Sequence, residues 1–219
     1  GVEELHGVEY SIMPDRIEAG TYVIASLITE GNLKIENVNL DDLGVFKSEL
    51  ESMGVKFEQD GNILSVIGNL KELKPSKIRT MPHPGFPTDI QAQFMAVLTL
   101  AKGTSNFEET IFENRYMHVD ELRKMGANIQ LDGRIAHVDG VHKLVGTEVF
   151  ATDLRAGAAL IIAGMVAKGY TRVTDLQFLD RGYYEFHQKL RALGATIERV
   201  DEPDGQGFTH EDLERLFAV

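Results

Sequence analysis

The feature that most limits how this chain can fold is a threefold internal repeat. Gly20–Gly31, Asp89–Gly103 and Asp153–Gly169 each read as a nearly all-apolar helix closed by glycine. An alternating stretch follows each of them, as in Leu33–Val38 and Thr171–Leu176, and reads as a strand. Glycine just past a helix is the expected left-handed terminator. A second helix then recurs as Phe46–Gly54, Val119–Gly126 and Phe186–Gly194, succeeded by strands at Val55–Glu58, Ala127–Leu131 and Ala195–Val200. Asp60-Gly61 and Asp132-Gly133 supply hairpin turns after the first two of these. The glycines ending the first helices are 72 and 66 residues apart, and those ending the second helices are 72 and 68 apart. Two independent markers on nearly one spacing define a βαβαββ unit present three times, at about residues 7–70, 77–146 and 147–202.

That period is too long for common solenoids and implies closed threefold packing. Helices apolar all round belong inside, and the amphipathic second helices belong half-exposed around them. The expected fold is therefore mixed α/β (α+β), with buried helices surrounded by three small sheets. Gly157 and Gly164 suit helix packing, and no glycine-rich nucleotide loop occurs. Residues 203–219 fall outside the repeat. Pro203–Gly207 has linker composition, and Thr209–Phe217 reads as a short amphipathic helix.

Composition removes several classes of function. The net charge of −12 argues against nucleic-acid or membrane-surface partners, which need a basic face. The absence of cysteine excludes disulfides, thiolate metal sites and cysteine nucleophiles in these residues. The longest apolar run, Ala156–Ala167, is too short to span a bilayer, so a soluble, cytoplasmic protein is expected. His83, His118 and His187 lack metal-ligand spacing.

The chemistry-bearing residues cluster at helix starts, which a threefold arrangement brings to one face. Met81–Phe94 contains Pro82, Pro84 and Pro87, then Thr88 as a suitable N-cap and Asp89 as a first-turn acid. A stiff loop of this kind would hold the Asp89 carboxylate still. Asp15, Arg16 and Glu18 open the first inner helix, and Thr152, Asp153 and Arg155 open the third. Asp41-Asp42, then Glu113-Asn-Arg115, then Asp180-Arg181-Gly182 open the outer ones. Arginine at a helix N-terminus opposes the macrodipole, and a bound anion is one reason to place it there. The plainer readings are helix caps for Asp89 and Asp153 and surface arginines for Arg115 and Arg181. Recurrence at corresponding repeat positions favours a site.

Pro84–Phe94, Phe112–Val119, Ala151–Ala156 and Asp180–Tyr183 strongly resemble the UDP-N-acetylglucosamine enolpyruvyl transferases, in order along residues 1–202. The resemblance implies transfer of the enolpyruvyl group of phosphoenolpyruvate to the 3-hydroxyl of UDP-N-acetylglucosamine in peptidoglycan synthesis. It implies no metal and no organic cofactor. Asp89 would take the proton of the sugar hydroxyl. Asp153 and Arg155 would line the reacting centre, and Arg181 would hold the phosphate or carboxylate of phosphoenolpyruvate. Phe112, Arg115 and Thr88 would contact substrate. The family has two such lobes, and this chain resembles the C-terminal one alone, inactive or nearly so without its complement. The missing lobe carries a catalytic lysine and a loop with a reactive cysteine. In the family this lobe also borrows a segment from the start of the complete chain, so one sheet here is expected to lack a strand. The alternative to a half-site is an interaction module, with 203–219 engaging a partner or covering that open edge.

Overall fold

A computed structural model of the chain describes residues 1–200; the linker and helix expected at 203–219 lie outside the described residues. The helices are α1 (Arg16–Ile28), α2 (Gly44–Ser52), α3 (Gln91–Leu98), α4 (Met117–Lys124), α5 (Leu154–Gly164) and α6 (Phe186–Ala192). The strands are β1 (Leu33–Glu36), β2 (Lys56–Asp60), β3 (Ile63–Ile67), β4 (Lys77–Arg79), β5 (Thr104–Glu108), β6 (Asn128–Asp132), β7 (Ile135–Asp139), β8 (Glu148–Phe150) and β9 (Arg172–Thr174).

As their composition demands, α1, α3 and α5 form the interior. Every residue of α3 is buried, as is α5 from Ala156 to Ala163. The outer helices bury one stripe each: Phe46 and Leu50 in α2, Val119 and Leu122 in α4, Phe186 and Leu190 in α6. Three sheets surround these helices, ordered β1-β3-β2, β4-β5-β7-β6 and β8-β9.

Among the described residues only the second repeat is a complete βαβαββ unit. Its sheet opens with β4 parallel to β5 (Ile78 opposite Phe107) and closes with the antiparallel β6–β7 hairpin. The first repeat has the equivalent antiparallel strands β1, β3 and β2 but no opening strand. Residues 1–15 form no ladder, and Val8, Tyr10 and Ile12 stand at least three-quarters exposed. The third repeat has, among the described residues, the parallel pair β8–β9 and no further strand.

The strand expected at Ala195–Val200 is therefore absent. A strand exists only where a neighbour takes its backbone hydrogen bonds. In the first two repeats that neighbour follows a two-residue turn, Gly61-Asn62 or Gly133-Arg134, with positive φ at the glycine only. This is the type II′ pattern. Among the described residues no strand pairs with this segment, and Arg191 Nε donates to its Ile197 carbonyl at 3.0 Å. A cavity of about 800 Å³ opens between this segment, β9, α1, α5 and α6.

Glycine terminates the outer helices as expected but not the inner ones. At Gly54, Gly126 and Gly194, φ is 108°, 93° and 103°, and the following residue donates back to Leu50, Leu122 and Leu190 respectively. These are three copies of one Schellman-type cap. By contrast α3 stops at Leu98 and α5 at Gly164, five residues short of Gly103 and Gly169. After α1 the left-handed residue is Glu30 (φ 54°), one before Gly31. After α3 the apolar run outlasts the helix because the turn that follows is buried too: Thr99 and Ala101 are at most 1% exposed.

Candidate active site

The loop from Met81 to Pro87 is a packed structure. Met81 N–H donates to Phe86 O at 3.0 Å, Gly85 N–H donates to Pro82 O at 2.8 Å, and the His83–Pro84 peptide is cis. A Cβ on Gly85 would lie 2.4 Å from Met81 Cβ, so the turn closes only with glycine there. Phe86 is buried against Phe94 and Phe46, with ring centroids 5.4 and 6.4 Å away. The loop's backbone and its aromatic anchor thus fix where Thr88 and Asp89 begin.

Thr88 caps no helix, contrary to the sequence expectation, whereas Asp89 does stand in a first turn, that of the 3₁₀ turn ahead of α3. The short 3₁₀ turn Thr88–Ile90 and α3 both start without a side-chain cap. The Thr88 hydroxyl donates to Glu109 Oε2 at 2.9 Å. Asp89 Oδ1 lies 3.4 Å from Arg115 Nη2 and 3.5 Å from Arg155 Nε. The two arginine side chains are 15% and 16% exposed and the carboxylate 48%, so two largely buried cations flank an acid that is open to solvent. At those distances Asp89 keeps acceptor capacity for another donor. Arg115 also donates to the Thr88 carbonyl at 3.3 Å and stacks over the half-exposed Phe112 ring, 5.2 Å from its centroid.

Asp153 does cap its helix: its Oδ1 accepts from Arg155 N–H at 2.7 Å and Ala156 N–H at 3.0 Å. This roots Arg155, whose Nη1 donates to the Tyr183 hydroxyl at 3.3 Å. Asp89, Thr88, Phe112, Arg115, Asp153 and Arg155 therefore form one connected cluster from the second and third repeats. Arg181 does not join it; its side chain is exposed, with no ion pair among the described residues. Its neighbour Asp180 is held below the usual carboxylate range by a hydrogen bond from Arg199, at 2.6 and 2.8 Å to its two oxygens. The 800 Å³ cavity is elsewhere and includes none of Asp89, Arg115 or Arg155.

Glu109 was not legible in the sequence as a member of this cluster. Its buried carboxylate accepts from Ile111 and Phe112 N–H, at 2.8 and 3.0 Å, as well as from Thr88, tying two loops together. The Glu108-Glu109 pair reads along the chain as a solvated strand end, and only the fold turns one of the two inward.

His118 lies beneath the cluster. Burial, the dominant cause, brings its pKa down to about 4, opposed by Asp153 and assisted by Arg115. Its Nε2 has no partner. The folded protein keeps this imidazole neutral at a pH where the unfolded chain, with an ordinary value near 6.5, binds the proton. Stability attributable to His118 is present above pH ~6.5 and is lost as pH falls towards ~4, by on the order of 3 kcal/mol. Urea unfolding between pH 4 and 7 checks this: His118→Asn should show a flatter profile than the unchanged protein. Parallel profiles would remove His118 as the cause.

Among the described residues no group of three or more His, Asp or Glu is placed to hold a metal ion, and no helix is long and apolar enough to cross a membrane.

Inner helices ringed by small sheets, with an acid between two arginines on one face, form a lobe of the enolpyruvyl transferase type. The enolpyruvyl transferase NikO from Streptomyces tendae superposes with a TM-score of 0.76 at 28% identity, covering 84% of this chain and 44% of that one. EPSP synthase from Acinetobacter baumannii, at 18% identity and a TM-score of 0.58 over 75% of this chain and 40% of its own, shares the fold. The family model for EPSP synthase (3-phosphoshikimate 1-carboxyvinyltransferase) matches residues 1–190, and the chain belongs to that family. Within it, UDP-N-acetylglucosamine 1-carboxyvinyltransferase 1 of Caldanaerobacter subterraneus subsp. tengcongensis is 53% identical over 199 residues, 91% of this chain. Those residues are 48% of that relative, so the chain spans about half its length.

Proposed function

We propose that this chain is the C-terminal half of a UDP-N-acetylglucosamine enolpyruvyl transferase, carrying one side of an active site completed by a second lobe. The observation that carries the reading is the Asp89 carboxylate held between Arg115 and Arg155, in a chain 53% identical to a UDP-N-acetylglucosamine 1-carboxyvinyltransferase. Enolpyruvyl transfer needs a base to take the proton from the sugar hydroxyl and cations to balance a phosphate and a carboxylate. Asp89 has the exposure for the first task. Arg115 and Arg155 have the fixed positive charge for the second, and their partial burial strengthens it.

In this reading Phe112 and Thr88, at the rim, contact the sugar nucleotide. Arg181, exposed and without an ion pair among the described residues, meets phosphoenolpyruvate once the second lobe closes. Asp153 lines the reacting centre with its uncommitted oxygen while the other caps α5. The domain is residues 1–202, and the open sheet β8-β9 accepts a strand from the complementary part of the complete protein. Cytoplasmic peptidoglycan synthesis is the process such an enzyme serves.

Phosphate release from phosphoenolpyruvate and UDP-N-acetylglucosamine tests the assignment. The chain alone should give no more than background, and adding the complementary lobe should restore turnover, because groups acting as a unit lose far more than their share when divided. Full turnover by the chain alone would sink the half-site reading.

A further inference from the structure

The three inner helices meet at a single hydroxyl. Tyr183 is 2% exposed, and its oxygen lies 2.9 Å from Thr21 Oγ1 of α1, 3.1 Å from Gln93 Nε2 of α3 and 3.3 Å from Arg155 Nη1 of α5. The direction of each bond follows from counting protons. Thr21 Oγ1 donates its one hydrogen to Ile17 O at 2.8 Å, so toward Tyr183 it can only accept. The Tyr183 hydroxyl therefore donates to Thr21 and accepts from Gln93 and Arg155. Both lone pairs and the proton of one oxygen are committed, one to each repeat.

Two of these bonds lead to Asp89. The Gln93 amide that reaches Tyr183, sharing that hydrogen with Thr21 Oγ1 at 3.2 Å, donates its other one to the Asp89 backbone carbonyl at 3.1 Å. Arg155, held from behind by the hydroxyl and lying 5.7 Å above the Tyr183 ring, presents Nε to Asp89 Oδ1. A planar guanidinium fixed at one nitrogen has little freedom at the others. We propose that Tyr183 is a positioning residue: its hydroxyl sets the orientation of Arg155 and, through Gln93, the backbone of Asp89. It touches no reacting atom. The ring is placed independently of the hydroxyl, by packing on Phe186 at 4.9 Å, so the two contributions are separable.

The test is Tyr183→Phe, which keeps the ring and deletes only the oxygen. A matched control is Tyr22→Phe. Tyr22 packs on the same Phe186 at 5.6 Å, but its buried hydroxyl has no partner. In the 219-residue chain, side-chain ¹⁵N spectra give one Nε–H signal for Arg155, assigned by its loss in Arg155→Lys. Tyr183→Phe should move that signal toward the position of a free arginine and speed its hydrogen exchange at least tenfold; Tyr22→Phe should do neither. Thr21→Val, which removes the acceptor that orients the hydroxyl, should shift it in the same direction. An Arg155 signal unmoved by Tyr183→Phe overturns the proposal, whatever the enzymology.

The consequence for chemistry rests on the enolpyruvyl transferase reading. With the complementary lobe, Tyr183→Phe should lower kcat tenfold or more while KM for UDP-N-acetylglucosamine stays within twofold. Unchanged kcat alongside a displaced Arg155 signal overturns the positioning role. Failure of the unsubstituted pair to turn over would count against the enzyme assignment instead, and the spectra would still decide the Arg155 contact.

Discussion

Replacing Asp89 with asparagine should lower the turnover of the two-lobe enzyme about 10²- to 10⁴-fold, the usual contribution of a positioned general base. The same change should shift the unfolding free energy of the chain by less than ~1 kcal/mol. The reason lies in the geometry: the contacts to Arg115 and Arg155 are 3.4 and 3.5 Å long and the carboxylate is about half exposed. Loose, solvated pairs contribute little to stability. Asparagine retains the shape and an acceptor oxygen for the two arginines but cannot take a proton. A folded variant with undiminished phosphate release would show that Asp89 only neutralises its neighbours.

Phe94→Ala should behave in the opposite way, costing about 3–5 kcal/mol of stability. Phe94 is completely buried in α3. Its ring meets Phe46, Phe86 and Phe107 edge-on, with centroids 5.8, 5.4 and 6.3 Å away and interplanar angles of 73°, 82° and 74°. Alanine removes the ring that all three share and leaves a cavity the fixed backbone cannot close. A loss of that size is a large part of a typical domain stability of 5–15 kcal/mol. The urea unfolding midpoint measures it, and a change under ~1 kcal/mol would mean that the aromatic cluster repacks. Phe86 is also the anchor of the loop leading to Asp89, so a variant that still folds should lose precision at the acid as well as stability.

These two residues stand five apart on one stretch, yet one should matter for rate and the other for folding. Both were visible in the sequence, one as an acid after a proline-rich loop and the other as part of an apolar run. Their partners were not. The Asp89–Arg115 and Asp89–Arg155 contacts join residues 26 and 66 positions apart, and the Tyr183–Thr21 bond spans 162. Periodicity says which side of a helix faces inward, but it does not say which helix waits there.

The sequence by itself determined the repeat, the buried inner and half-exposed outer helices, the three outer-helix glycine caps and the family. Each depends on local composition or spacing: an all-apolar helix must be covered, and a left-handed terminator favours glycine. Tertiary structure decided everything that depends on a partner from another repeat. Residues 195–200 have the alternation of a strand, but no neighbour among the described residues receives their hydrogen bonds, and they form none. Thr88 has the chemistry of a cap, but Pro87 stands ahead of the turn and Thr88 lies within it, its hydroxyl donating to the inward-turned Glu109. Asp89 gained its setting in the same way, because only threefold packing brings arginines from two repeats to one carboxylate.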